Sequence, residues 1–176
     1  VVSRHARMGA VLHGGGQQRG LRSGTPDVAG AAALAVALEL TAAERAAVTE
    51  RLRALSDRLL TGVHGIAPEV TLLGAPDRRL PGHLHLLFPD ALGETLLFLL
   101  DSAGVRVSTG SACQAGVAEP SHVVLALGRT DREARSVLRV TLGRTTTAAD
   151  VDAFLAALPE AHRRAAASSA RAGSRS

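Results

Sequence analysis

The feature that most constrains this chain is a long alanine-rich segment that starts after Thr25-Pro26 and has no further proline until Pro68. Thr25 reads as a helix N-cap and Pro26 as the first helical residue. Apolar positions follow at Leu34, Leu38, Val48, Leu52, Leu55 and Leu59. Their steps fit a helical stripe, broken at Thr41 and Arg45. Gly62 and Gly65 are expected to end the helix.

The remaining elements are shorter. Gly9 to Leu12 reads as a strand end entering the loop His13-Gly14-Gly15-Gly16. Glu69–Leu73 alternates weakly, His83–Phe88 more clearly, and Val137–Leu142 cleanly, so all three are predicted strands. Val105–Ser108 is a further strand. Gly93–Ala103 is predicted helical with Gly104 just past its end. Pro120 opens a short helix that Gly128 stops. Asp131–Arg135 gives one more turn. Thr147 with Asp150 forms a capping-box-like start for a last helix running to about Leu158. The order predicts an α+β unit, a small and mostly antiparallel sheet with helices on one face. The tail from Ala161 to Ser176 has small and polar residues without an apolar period and is expected to be disordered.

All 20 basic residues are arginine, so the chain contains no lysine. Arginine stays protonated and cannot form the imine that a lysine forms with an aldehyde cofactor. The net charge of +4 is modest, and there are only three Phe and no Trp or Tyr. A nucleic-acid surface of basic residues and aromatic platforms is therefore not expected. Apolar runs are too short for a membrane span. No basic segment leads into an apolar run near Val1, so no signal peptide is expected. The single cysteine cannot form an internal disulfide, which favours a reducing, cytoplasmic setting.

That cysteine, Cys113, lies in the stretch STGSACQAG between small residues and two glycines. A reactive thiol must be deprotonated, reachable and free to move. Alternatively, a free cysteine packs as a small hydrophobe. Composition alone leaves these two readings about even. No metal site is expected, because one cysteine without histidine at ligand spacing is not a zinc set.

The longer string Arg106–Gly128, RVSTGSACQAGVAEPSHVVLALG, resembles the active-cysteine segment of cysteine desulfurases, pyridoxal-phosphate (PLP) enzymes of the class V aminotransferase group. It is similar to the long-loop branch that serves iron–sulfur assembly and tRNA thiolation, with Thr109 where the first Ser of that string often stands. His13–Pro26, HGGGQQRGLRSGTP, resembles the family's Gly-rich segment followed by Arg-Ser-Gly-Thr. Leu138–Asp152, LRVTLGRTTTAADVD, resembles the strand with a substrate-binding arginine and the Thr-Thr that opens the final helix. The three matches stand in the family's order and cover nearly all of the chain but the tail.

The resemblance implies a function: conversion of L-cysteine to L-alanine, with the sulfur held as a persulfide on Cys113. By the same resemblance Arg139 holds the substrate α-carboxylate, which a planar guanidinium binds through two parallel hydrogen bonds. The pattern alone leaves Arg139 equally a surface strand arginine. Thr25 matches a threonine that reaches the cofactor phosphate across a homodimer; Asp27 stands where the family often has Asn. Ser3-Arg4-His5-Ala6 has alanine where the family's Ser-x-His-Lys string carries its cofactor lysine, and it lies too near His13 to be that string.

The resemblance therefore implies the C-terminal part of a fold-type I PLP enzyme. Residues 1–25 would belong with the large PLP-binding domain. Residues 26–62 would be the connecting helix, 63–160 the small domain with the cysteine loop, and 161–176 the tail. Expected partners are L-cysteine and a sulfur acceptor, either an iron–sulfur scaffold or a tRNA-thiolation protein. The alternative is a standalone persulfide-accepting domain or gene remnant without catalysis. A third reading, a single-cysteine peroxidase or sulfurtransferase, gives no reason for the strings at Arg22–Thr25 and Leu138–Asp152.

Overall fold

The computed structural model describes residue 6 and residues 8–110 and 120–173. Two compact units contain Val1–Arg45 and Ala46–Ser176. The helix α1 (Val28–Ile66) supplies residues to both.

In the second unit β1 (Thr71–Leu72), β2 (His83–Leu87) and β3 (Val137–Thr141) form an antiparallel sheet in the order β1-β2-β3. Helices α2 (Gly93–Ser102), α3 (His122–Ala126), α4 (Asp131–Arg135) and α5 (Ala148–Gly173) complete it. Register places Leu84 opposite Val140 and Leu86 opposite Leu138. Because side chains alternate along a strand, these four leave the sheet on one face. There they pack with Leu55, Leu59 and Val63 of α1, Leu96 and Leu100 of α2, and Val151, Phe154 and Leu158 of α5. The opposite face carries Leu73, Leu87 and Val137, covered by Val124 of α3 and Ala134 of α4. Helices thus lie on both faces, not one. The short α3 and α4 cover only one end of the second.

Several boundaries differ from expectation. α1 starts at Val28, and the cap is Asp27, whose Oδ1 accepts from the Gly30 amide at 2.8 Å. Asp competes well with Thr for this position, since its carboxylate also meets the positive end of the helix. α1 also runs through Gly62 and Gly65 to Ile66. A Cβ at Gly62 would meet Leu155 Cδ1 of α5, so this glycine serves close helix packing instead of termination. Gly9–Leu12 forms no strand; Leu12 makes only an isolated parallel bridge to Arg22. Val105–Ser108 likewise contributes a single bridge, Ser108 to Arg139.

α5 continues past Pro159 to Gly173, so the tail expected to be disordered from Ala161 is helical that far. Its side chains explain why: Ala161 and Ala165 are buried in the core cluster. That burial offsets the hydrogen bond lost at Pro159. His162 Nε2 also stands 2.9 Å from Asp90 Oδ1 and 3.5 Å from Glu69, with its ring 5.6 Å from that of Phe88. Arg58 pairs with Asp152 at 2.6 Å, a second tie between α1 and α5. Thr147 opens α5 as expected: its amide donates to Asp150 Oδ2 at 2.8 Å, and its hydroxyl receives the Asp150 amide at 3.4 Å.

Candidate functional site

Arg139 sits in the middle of β3, half-buried, on the face opposite the leucine core. Its backbone N–H and C=O exchange bonds with Ser108, so they point away from β2. His85, its partner on β2, turns its own carbonyl to the amide of Leu73, just past β1, at 2.8 Å. His85 and Arg139 are therefore a non-hydrogen-bonded antiparallel pair, the kind whose side chains stand closest. A row Leu73–His85–Arg139–Ser108 crosses the face. At its end the Arg139 Nη2 donates to Ser108 Oγ at 3.2 Å. The Ser108 hydroxyl in turn donates to the Thr109 carbonyl at 2.8 Å. Among the described residues the guanidinium is held at this one corner, and the rest of its donor fork has the geometry to bind a planar anion.

Above this row the chain passes through Gly110. A Cβ there would come within 2.6 Å of His85 Nε2 and 3.6 Å of Ser121 Oγ. Only glycine lets the backbone run so close to the ring. His85 Nε2 is buried and finds no hydrogen-bond partner among the described residues. Burial first, then the charges of His83 and Arg139, lower the His85 pKa, so the ring is neutral near pH 7. The strand pattern His-Leu-His-Leu already carries this histidine in the sequence. Only register shows that it faces the arginine.

Cys113 lies outside the described residues, within the stretch between Gly110 and Pro120. Thr25 belongs to the first unit and is exposed, near the end of the string His13–Pro26. The Gly24 amide donates to Gln17 Oε1 at 3.1 Å, and the Gly16 amide to Ser23 Oγ at 3.3 Å. Arg22 Nη1 donates to the carbonyls of Gly24 at 3.3 Å and Thr25 at 3.1 Å. The backbone at Gln18 and Arg19 takes positive φ values of 52° and 59° to close this loop. Glu69, Asp90 and His162 hold three potential metal-ligand atoms within 4.8 Å of one another, but His162 is engaged with Asp90. No helix among the described residues is long and apolar enough to cross a membrane.

Comparison with known proteins gives the family and the fold. The chain is 49% identical over 156 residues to an IscS-like cysteine desulfurase of Mycobacterium tuberculosis, covering 88% of this chain and 40% of the relative. It is 42% identical over 152 residues to a cysteine desulfurase IscS of Clostridium botulinum, covering 85% and 38%. The chain thus spans about 40% of the length of the curated relatives it matches. A solved NifS-like protein superposes with a TM-score of 0.77 at 31% identity, over 90% of this chain and 40% of that one. The NifS-like protein of Rickettsia africae gives the same TM-score at 26% identity, over 90% and 41%. The class-V aminotransferase model matches residues 10–154, and the chain belongs to that family.

Proposed function

We propose that this chain is part of a PLP-dependent cysteine desulfurase. The observation that carries this reading is the half-buried Arg139, pinned by Ser108, on the face that Gly110 closely approaches, three residues before Cys113 in the sequence. Arg139 binds and orients the α-carboxylate of L-cysteine. The Cys113 thiolate attacks the substrate sulfur and forms an S–S bond. The substrate C–S bond breaks with its electron pair left on carbon, and a proton completes the methyl group of alanine. The persulfide on Cys113 then passes its outer sulfur to an acceptor thiolate by exchange.

The residues present fit PLP at its phosphate end only. Thr25 offers an exposed hydroxyl beside the start of α1, although Asp27 already caps that helix end with a carboxylate. When bound, PLP supplies the electron sink that weakens the substrate's bonds. Its aldehyde needs a lysine, and none stands among these 176 residues.

In this reading residues 1–25 go with a PLP-binding domain, 26–62 connect, and 63–160 form the small domain. The working enzyme is a cytoplasmic homodimer, with Thr25 reaching the other subunit's phosphate. The acceptor is an iron–sulfur scaffold or tRNA-thiolation protein.

The test is the PLP-loaded full-length protein given L-cysteine. It should release alanine and leave a persulfide, and Cys113→Ser should abolish both. Retained alanine release in that variant sinks the assignment. The missing lysine supports a second reading, in which this chain alone only accepts sulfur. The isolated 176 residues with added PLP should form no alanine, and turnover at enzymatic rates would refute that expectation.

A further inference from the structure

We infer that His85 is a positioning residue, which sets the spacing between the Arg139 guanidinium and the backbone at Gly110. This rests on the desulfurase reading only for its kinetic consequence. The geometry is independent of it. The imidazole stands beside Arg139 in a close cross-strand pair, with Ser108 holding the guanidinium from the other side. Its far edge meets Gly110, where a Cβ would fall 2.6 Å from Nε2 and 2.9 Å from Cε1. The same point lies 3.6 Å from the hydroxyl oxygen of Ser121, a residue with 1% exposure. One ring therefore stands between the carboxylate-binding strand and Gly110, the point from which the chain runs on in sequence to Cys113.

A group that only filled space there would serve better without a polar atom. Nε2 is instead buried with no partner among the described residues, which costs stability and so calls for a use beyond packing. The neutral ring also avoids placing a second cation against Arg139, leaving that guanidinium the site's cation toward an incoming carboxylate.

Misplacing reacting atoms by about 1 Å costs up to about a hundredfold in rate. In the PLP-loaded full-length protein His85→Ala should therefore lower kcat between about tenfold and a hundredfold. KM for L-cysteine should move less than about twofold, since Arg139 remains. His85→Gln, which keeps a polar group of similar reach, should recover most of kcat. Gly110→Ala should also lower kcat, because its methyl group occupies the ring's place. Combining it with His85→Ala should restore activity above that of Gly110→Ala alone.

A second readout needs no turnover. Cys113 is the only thiol of these 176 residues, and its alkylation rate by iodoacetamide, followed on its own proteolytic peptide, reports on the chain just beyond Gly110. That rate should change in His85→Ala and Gly110→Ala and return toward wild type in His85→Gln. An active wild type whose kcat and alkylation rate are both indifferent to His85→Ala overturns the inference and leaves the desulfurase reading intact. An inactive wild type whose alkylation rate still follows His85 and Gly110 does the reverse. Should the alanine variants fail to fold, the glutamine variant decides. Wild-type kcat and alkylation support a polar positioning role. A loss of about tenfold in a folded His85→Gln protein overturns it.

Discussion

The two faces of the small sheet are built from alternate residues of the same two strands, yet they follow different rules. On one face Leu84, Leu86 and Leu138 are fully buried, and Val140 nearly so. On the other, Leu87 and Val137 are covered by α3 and α4, His85 and Arg139 are half-buried, and Thr141 is exposed. The first face maximises buried apolar area. The second trades some of that area for a cation, a neutral imidazole and a hydroxyl in one row. A single step in register would exchange these roles wholesale. The tightly packed leucine face therefore fixes where the polar row stands.

The sharpest way to break this comparison is to substitute two neighbours. Leu138→Ala removes a fully buried side chain from the centre of the core and should cost about 2–5 kcal/mol in urea unfolding. Arg139→Ala, one residue on, should change stability by no more than about 1 kcal/mol. Its effect should appear in L-cysteine turnover, with kcat/KM lower by about thirtyfold or more and most of that loss in KM. Similar stability losses in both variants would mean that Arg139 is structural.

α1 repeats the contrast along one helix. Leu59 is 1% exposed, whereas Leu34 and Leu38 are each 60% exposed. Leu59→Ala should cost about 2–5 kcal/mol, and Leu38→Ala less than about 0.5 kcal/mol in the isolated 176-residue chain. The exposed stretch also includes Val28, Val36 and Leu40, and exposed apolar surface of this kind favours association. The isolated chain should self-associate by light scattering, and Leu34→Glu with Leu38→Glu should reduce that. A compact monomer would refute the expectation.

A smaller effect separates two glycines of α1. Gly65 has open space where a Cβ would stand, while Gly62 faces Leu155. Gly65→Ala should stabilise by about 0.5–1 kcal/mol through backbone entropy. Gly62→Ala should lose that gain and more, since overpacking costs about 1–3 kcal/mol. Equal thermal shifts in the two variants would show that α1 and α5 do not pack closely at this point.

The elements legible in the sequence are those set by local rules. Period and turn residues locate β2, β3, α2 and the start of α5, because alternation and capping act over a few residues. Gly62 looks like a stop in the sequence because its actual reason, Leu155, lies far along the chain. Pro159 and the polar tail signal an end to α5, but the burial of Ala161 and Ala165 overrides that local preference. Thr25 and Asp27 are both good caps, and only the helix geometry chooses between them. Arg139 is reached through a motif. His85 is not, because its meaning depends on register with Arg139 and on the path of Gly110, neither of which a single strand reveals.

The finest distinction between the faces is electrostatic, and pH reads it. The folded protein holds the His85 pKa below its ordinary value, chiefly by burial and then by His83 and Arg139. As pH falls below about 6.5, the unfolded chain takes up the proton first. The unfolded state then binds more protons than the folded one, so stability declines until pH has passed the folded value. Glu133 and Asp150 act in the same direction at lower pH. Their carboxyl groups are held below the usual range by the Thr130 and Thr147 backbone amides. Both are carboxylates near solvent, and their loss belongs to the range near and below about pH 4. Urea midpoints at about pH 7.5 and about pH 5.5, on either side of the ordinary histidine value, therefore isolate His85 from the carboxylates. The wild type should be less stable at the lower pH, and His85→Gln should lose less over that interval. The leucine face has no titrating group, so the loss caused by Leu138→Ala should be the same at both values. An identical pH dependence in wild type and His85→Gln would mean that the ring is solvated and free to charge, and that Gly110 does not cover it.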